Sequence, residues 1–211
     1  MFTGIITDIG VIQKKEHTGR EVLMTIQAPV LLPELKHGDS IAVNGVCLTV
    51  DKIFATAFKA AVIPETVERT NLGSLRVSSR VNLELPLKVN GRFDGHFVTG
   101  HVDGIGTVLK KSPTKQGTTL SILFPPDLAK FFSLKGSIAI NGVSLTIMQL
   151  TGDFLSVGLI PITEKETNLG SLRENDIVNI EVDLIARYLD RLVQKKSQET
   201  DFEWLRERSL I

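Results

Sequence analysis

Apolar and polar residues alternate along most of this chain in short runs rich in Val, Ile, Thr and Phe. These runs are broken at intervals of about ten residues by Gly, Asn, Asp or Pro. A period of two with those breakers predicts the short strands of a small sandwich or barrel. In residues 46–50, Val46, Leu48 and Val50 fall on one face of such a strand while Cys47 and Thr49 fall on the other. Asn44-Gly45 and Asn141-Gly142 sit between apolar runs and carry the strongest short hairpin signal. Helical turns are expected at Pro29–Leu35 and Pro126–Phe132, with a further turn in each T-N-L-G-S-L segment. After Leu184 the period changes: Ile185, Tyr188, Leu189, Leu192 and Val193 are spaced as one stripe of a helix. That helix either packs on its own barrel or joins subunits. Beyond Lys196, Thr200 and Glu203 have capping-box spacing and predict a short second helix bearing Phe202, Trp204 and Leu205.

The pattern is written twice. SIAVNGVCLTV (40–50) returns as SIAINGVSLTI (137–147), VIPETVERTNLGSLR (62–76) as LIPITEKETNLGSLR (159–173), and VNLELPL (81–87) as VNIEVDL (178–184), all at a spacing of 97. TGIITDIGVIQKK (3–15) returns as TGHVDGIGTVLKK (99–111) at a spacing of 96. Blocks repeated in one order mean two copies of one fold. The expected division is 1–96 and 97–184 for two all-β barrels and 185–211 for a helical tail.

Composition narrows the function classes. The 24 basic and 24 acidic residues cancel and form no basic stripe, which argues against nucleic acid as a partner. The one cysteine, Cys47, cannot form an intramolecular disulfide; with no secretory pattern at the start, a cytoplasmic protein is expected. No run approaches the length of a membrane helix, so no membrane partner is expected.

Candidate chemistry lies where the copies agree and where they differ. Cys47 and Thr49, like Ser144 and Thr146, either wall a pocket for a flat polar ligand or form the outward face of ordinary strands. Ile63-Pro64 and Ile160-Pro161 cannot continue a central ladder, because proline lacks the N–H. They mark either freed backbone groups near a ligand, beside Gly4 and Gly100, or an edge strand or bulge. Three differences are chemically pointed: Cys47 matches Ser144, Ile5 matches His101, and Pro86 matches Asp183. His96 lies in the joining segment GHFVTGH. Thiol, imidazole and carboxylate move protons or attack electrophiles near neutral pH. Cys47, His96 and His101 offer three zinc ligands, but no second cysteine or His-x₃-His spacing supports a site, and no metal is expected. Gly100–Gly106 is followed by no helical pattern, so it is no dinucleotide fingerprint.

MFTGI, NGVCLTV, IPETVERTNLG, GHFVTGHVDG, NGVSLTI, IPITEKETNLG and VNIEVD, in that order from Met1 to about Val193, resemble the riboflavin synthase family, the two-barrel lumazine-binding kind. The resemblance implies two tandem six-stranded Greek-key barrels and a C-terminal helix that assembles a homotrimer. Each barrel would bind one 6,7-dimethyl-8-ribityllumazine, two per active site. A four-carbon unit would pass between them to give riboflavin and 5-amino-6-(ribitylamino)uracil, with no cofactor. Lumazine synthase is the protein partner that the resemblance raises. It places Phe2, Gly4, Ile5, Ile6, Ser40, Cys47, Leu48, Thr49, Ala61, Val62, Ile63, Pro64, Glu65 and Thr66 near the first ligand. Near the second it places Gly100, His101, Val102, Lys135, Ser144, Leu145, Thr146, Gly158, Leu159, Ile160, Pro161, Ile162 and Thr163. Cys47, His96, His101, Ser144 and Asp183 match polar residues implicated in catalysis. His101 is preferred over His96 as the base; Cys47, Ser144 or a water would activate the acceptor, and Asp183 would orient or accept a proton. Asp94 stands where a glycine is common in the family. The alternative from another class is a lumazine- or flavin-binding antenna protein that catalyses nothing.

Overall fold

The alternating pattern resolves into strands that close on themselves twice. The computed structural model describes residues 1–199 apart from Arg20, with side chains described to Gln194. The tail helix expected around Thr200–Leu205 lies outside the described residues. The first barrel comprises β1 (Asp8–Thr18), β2 (Glu21–Gln27), β3 (Ser40–Val43), β4 (Val46–Ile53), β5 (Ala57–Val62) and β6 (Arg80–Glu84). The second comprises β7 (Gly104–Thr114), β8 (Gly117–Leu123), β9 (Ser137–Ile140), β10 (Val143–Leu150), β11 (Phe154–Leu159) and β12 (Ile177–Val182). Both are closed and antiparallel in the Greek-key order β1-β2-β5-β4-β3-β6, repeated as β7-β8-β11-β10-β9-β12. Closure removes the sheet edges that would otherwise template aggregation.

The local signals are obeyed. Asn44 and Gly45 have φ of +48° and +77°, Asn141 and Gly142 +46° and +78°, as a two-residue type I′ hairpin turn requires. Val43 then faces Val46, and Ile140 faces Val143. Val46, Leu48 and Val50 point into a core with Ile12, Met24 and Phe58; Val143, Leu145 and Ile147 do so with Ile122, Ile140 and Leu155. The expected helical turns form as 3₁₀ segments at Leu32–Glu34 and Pro126–Phe131. The prolines depart from the edge-strand or bulge reading. Pro64 and Pro161 lie neither in an edge strand nor in a bulge; each is the first residue of a short helix, α1 (Pro64–Arg69) and α2 (Pro161–Glu166). The missing N–H costs nothing there, because no intrahelical partner exists for it.

A polar joint unites the barrels. The Asn71 amide donates to Asn179 Oδ1 at 2.7 Å and the Asn168 amide to Asn82 Oδ1 at 2.6 Å. Asn82 Nδ2 donates to the Asn141 carbonyl at 2.9 Å and Asn179 Nδ2 to the Asn44 carbonyl at 2.8 Å. All six asparagines are buried, and each copy donates to the other in the same pattern, so the joint has a local two-fold axis. This explains the repeated T-N-L-G: Thr70 and Thr167 cap a 3₁₀ turn, the Asn reaches across, and the Leu enters its own core. Buried amides tolerate such a place only when their partners are present.

The last element, α3 (Leu184–Glu199), turns its apolar stripe outward. Ile185, Tyr188, Leu189, Leu192 and Val193 are all more than half exposed, so the stripe does not pack on its own barrel. The helix is held instead by Lys130–Asp190 and Arg187–Asp103 ion pairs, each at 2.7 Å.

Candidate functional site

The outward face of β4, with the end of β5 and the first turn of α1, forms a cleft on the first barrel. Cys47, Thr49, Ala61, Ile63 and Thr66 line it, with Glu21, Leu23, His37 and Gly38 opposite, around a volume of about 590 Å³. A smaller hollow of about 230 Å³ shares Cys47 and Thr66 and is closed by Glu65, Arg69, Gly100, His101 and Val102. The exposed His101 therefore lines the hollow that shares Cys47 with the cleft. Glu65 and Arg69 pair across the rim at 3.2 Å.

That placement corrects an expectation. Residues 99–102 come from the second copy, yet the Cys47 amide donates to the Gly100 carbonyl at 2.9 Å. Reciprocally, the Ser144 amide donates to the Gly4 carbonyl at 2.8 Å. Val102 packs on the first core and Ile6 on the second. Gly4, Ile5 and Ile6 thus belong beside the second barrel's strand, and Gly100, His101 and Val102 beside the first barrel's, the reverse of the expected grouping. Two features cause the exchange. Gly4 and Gly100 have φ of +76° and +83°, which turns their carbonyls towards the other copy. Their Cβ positions would lie 2.6 Å from Ser144 Cβ and 2.5 Å from Cys47 Cβ, so only glycine fits. Meanwhile Glu84 accepts from the Thr3 amide and hydroxyl and the Gly4 amide at 2.7–3.0 Å, and Glu181 does the same for Thr99 and Gly100 at 2.6–3.0 Å. Burial pushes both carboxyls above the usual range, and these donors pull them back.

The second barrel's strand carries a different set. Ser144 Oγ lies 2.7 Å from His96 Nδ1, and His96 is buried with Nε2 lacking a hydrogen-bond partner among the described residues. Burial holds this imidazole below the ordinary histidine range, opposed by the nearby Asp183 charge, so it is neutral near pH 7. Asp183 is half-buried at the foot of α3, where Oδ1 accepts the Ile185 amide at 2.9 Å. The two histidines of GHFVTGH thus serve different strands: His101 at Cys47, His96 at Ser144. Lys135 is exposed with φ of +66°, at the counterpart of Gly38, whose φ is +86°.

Several expected ligand residues turn inward. Leu48, Val62, Leu145 and Leu159 are core side chains, and Phe2 is fully buried between the barrels with Ala42, Val98 and Ala139. Ser40 pairs with Thr49 across β3 and β4. Thr66 and Thr163 are half-buried on equivalent turns, while Ile63, Ile160 and Ile162 are exposed apolar residues beside the two strands, as are Pro64 and Pro161 at the helix starts. Thr146 is exposed beside Gly158's strand end, as Thr49 is beside that of Ala61. Glu84, Glu181, Asp103 and Arg187 were not singled out, although the first two stand at matching places in VNLE and VNIE. Among the described residues no cluster of His, Cys, Asp and Glu is arranged to hold a metal.

A family profile described as Lumazine binding domain matches residues 3–86 and again 99–183. The riboflavin synthase of Actinobacillus pleuropneumoniae is 43% identical over 196 residues, covering 93% of this chain and 91% of that protein. That of Bacillus subtilis (strain 168) is 42% identical over 198 residues, covering 94% and 92%. Among solved structures, LumP complexed with 6,7-dimethyl-8-(1'-D-ribityl) lumazine superimposes with a TM-score of 0.79 at 27% identity, covering 86% of this chain and 99% of that one. LumP complexed with riboflavin gives 0.81 at 28% identity over the same shares.

Proposed function

The chain belongs to the riboflavin synthase family of transferases, and from that premise we propose that it dismutates two molecules of 6,7-dimethyl-8-ribityllumazine. One gives up a four-carbon unit and leaves as 5-amino-6-(ribitylamino)uracil; the other receives it and becomes riboflavin. Two identical molecules supply all atoms and electrons of both products, so no cofactor enters. The 7-methyl group of one lumazine must lose a proton, and the other must be made electrophilic at its 7-carbon by a nucleophile. His101, exposed over the first cleft, is the base. Cys47 in the same cleft, or Ser144 held by His96, supplies or steers the nucleophile, and Asp183 orients it. Holding two heterocycles at attack distance offsets about 7 kcal/mol or more of the barrier.

The observation that carries this reading is the unequal equipment of two equivalent strands: thiol and exposed imidazole on one, hydroxyl and buried imidazole on the other. A symmetric pair of binding sites has no use for that difference; a donor and an acceptor do. We divide the chain functionally as 1–96, 97–184 and 185–211. The exposed α3 stripe supports a homotrimer in which the first barrel of one chain meets the second of another. The reading places the trimer in the cytoplasm and leaves lumazine synthase as its candidate partner.

The test is riboflavin fluorescence from purified protein and the lumazine alone, with two ligands bound per chain at saturation. His101→Ala and Cys47→Ser should cut turnover while leaving affinity within about threefold. Mixing inactive Cys47 and Asp183 variants should restore activity if the two halves of a site come from different chains. Binding without turnover in the unmutated chain would favour the antenna reading.

A further inference from the structure

The two exchanged segments are held alike by Glu84 and Glu181, but the one that carries His101 has an extra tether. Asp103 occupies the place of Thr7 in the first copy, where the hydroxyl only donates to the Leu83 carbonyl at 3.3 Å. Asp103 Oδ2 accepts the Val182 amide at 2.8 Å, and both its oxygens lie 2.7 Å from Arg187 Nη2. Arg187 sits in the first turn of α3, its own amide bonded to the Asp183 carbonyl at 3.2 Å. Its Nε is buried without a partner among the described residues. A guanidinium drawn inward at that cost is held by the carboxylate it meets, since an unmatched buried donor is unfavourable by itself. The Asp103 side chain is 18% exposed and that of Arg187 36%, so the carboxylate is shielded while the guanidinium stays partly open to water. The first barrel has no helix after β6 and no such pair.

We propose that Arg187 is a positioning residue for the reaction. Through Asp103 it ties Thr99–Asp103, and with that segment His101, to α3, so that the seating of the helix sets the place of the imidazole over Cys47. This rests on the lumazine dismutation proposed above. The charged groups around Asp103 are Arg187 from α3, His101 two residues before it, and Glu181 from β12, whose own carboxyl feels Asp103. Burial raises the Asp103 carboxyl while the Val182 amide and Arg187 lower it, so losing the guanidinium leaves a carboxyl that protonates at higher pH.

Arg187→Met, Arg187→Lys, Asp103→Asn and the double variant Arg187→Met/Asp103→Asn separate positioning from mere charge neutralisation. Arg187→Met should lower kcat about tenfold with KM within about threefold, and move the acid limb of the pH profile upward. Arg187→Lys should restore most of kcat and the original limb. The double variant, freed of its unpaired carboxylate, should recover the melting temperature but not kcat. Recovery of both, or an unaltered kcat and pH profile in Arg187→Met, overturns the inference; if Arg187→Met does not fold, full kcat in Asp103→Asn overturns it. A readout independent of turnover is the alkylation rate of Cys47 by iodoacetamide, which the Gly100–Val102 segment covers. It should rise about fivefold or more in Arg187→Met as the segment lifts. No riboflavin from the unmutated chain would defeat the dismutation reading, and unchanged alkylation would defeat this one.

Discussion

The first barrel's cleft and the equivalent face of the second are built on one frame and equipped differently. Both have the Asn-Gly hairpin, the strand with alternate polar positions, the helix begun by proline, and a Thr-Gly segment locked by a buried glutamate. On that frame Cys47 faces an exposed His101, whereas Ser144 bonds a buried, neutral His96 within reach of Asp183. Even the backbone departs. Gly38 adopts a left-handed φ at no strain, and its counterpart Lys135 adopts one at about 1 kcal/mol or more. Duplication produced two equivalent seats, and on the proposed reading a handful of substitutions assigns them different work. Because each seat is completed by a segment of the other copy, neither barrel holds a whole site.

The largest effect should come from breaking that completion. Gly100→Ala puts a Cβ against Cys47 and Gly4→Ala puts one against Ser144, each from a φ that disfavours alanine. Each should cost about 2–4 kcal/mol of stability, read from denaturant melts, and reduce turnover about a hundredfold. Gly100→Ala should spoil ligand binding at the first cleft and Gly4→Ala at the second. If Gly100→Ala instead spoiled binding at the second barrel and Gly4→Ala at the first, the exchange would be wrong.

That exchange was hidden from the sequence for a physical reason. Alternation, Asn-Gly turns and the helical stripe after Leu184 are local signals, and they placed the strands, hairpins and α3. The repeat then suggested self-contained copies, because sequence spacing says nothing about which copy a carbonyl faces. The left-handed turns at Gly4 and Gly100, with the Glu84 and Glu181 anchors, send the segments across. Likewise Cys47, Thr49, Ser144 and Thr146 were legible from strand parity, and the same parity turns the Leu48 and Leu145 side chains into the cores. Arg187–Asp103 joins residues 84 apart and no short-range pattern announces it. Three of the four repeated blocks carry asparagines of the joint, yet Asn44 and Asn141, each beside a glycine, read as turns, which masks their second role.

A smaller effect separates the two imidazoles. His96 has a depressed pKa from burial, so the unfolded chain binds a proton at pH values where the folded one does not. Its contribution is therefore present above about pH 6.5 and lost as pH falls below that value. Buried Glu84 and Glu181 act in the opposite sense, their raised carboxyls favouring the fold as pH falls, but they are common to wild type and variant. The melting temperature of His96→Gln should thus lie below wild type at neutral pH and approach it on acidification. A His96→Gln profile parallel to wild type would remove the buried, neutral state assigned to this imidazole.

The smallest effect tests whether the frame is equivalent in binding even though the chemistry is not. Thr49 and Thr146 occupy one position of two strands, pairing with Ser40 and Ser137 across equivalent hairpins. Valine keeps the shape and the strand preference of threonine and removes only the hydroxyl. If each hydroxyl bonds a ligand, Thr49→Val and Thr146→Val should each cost about 1 kcal/mol at one site, roughly a fivefold loss of affinity, and leave the other site untouched. Calorimetric titration with the lumazine should then become biphasic in either single variant and return to one phase, shifted, in the double. A single phase of unchanged affinity in Thr146→Val with a shifted one in Thr49→Val would mean that the second strand has given up its share of ligand contact to Lys135 and Ser144. The asymmetry would then reach into binding and not stop at the reacting groups.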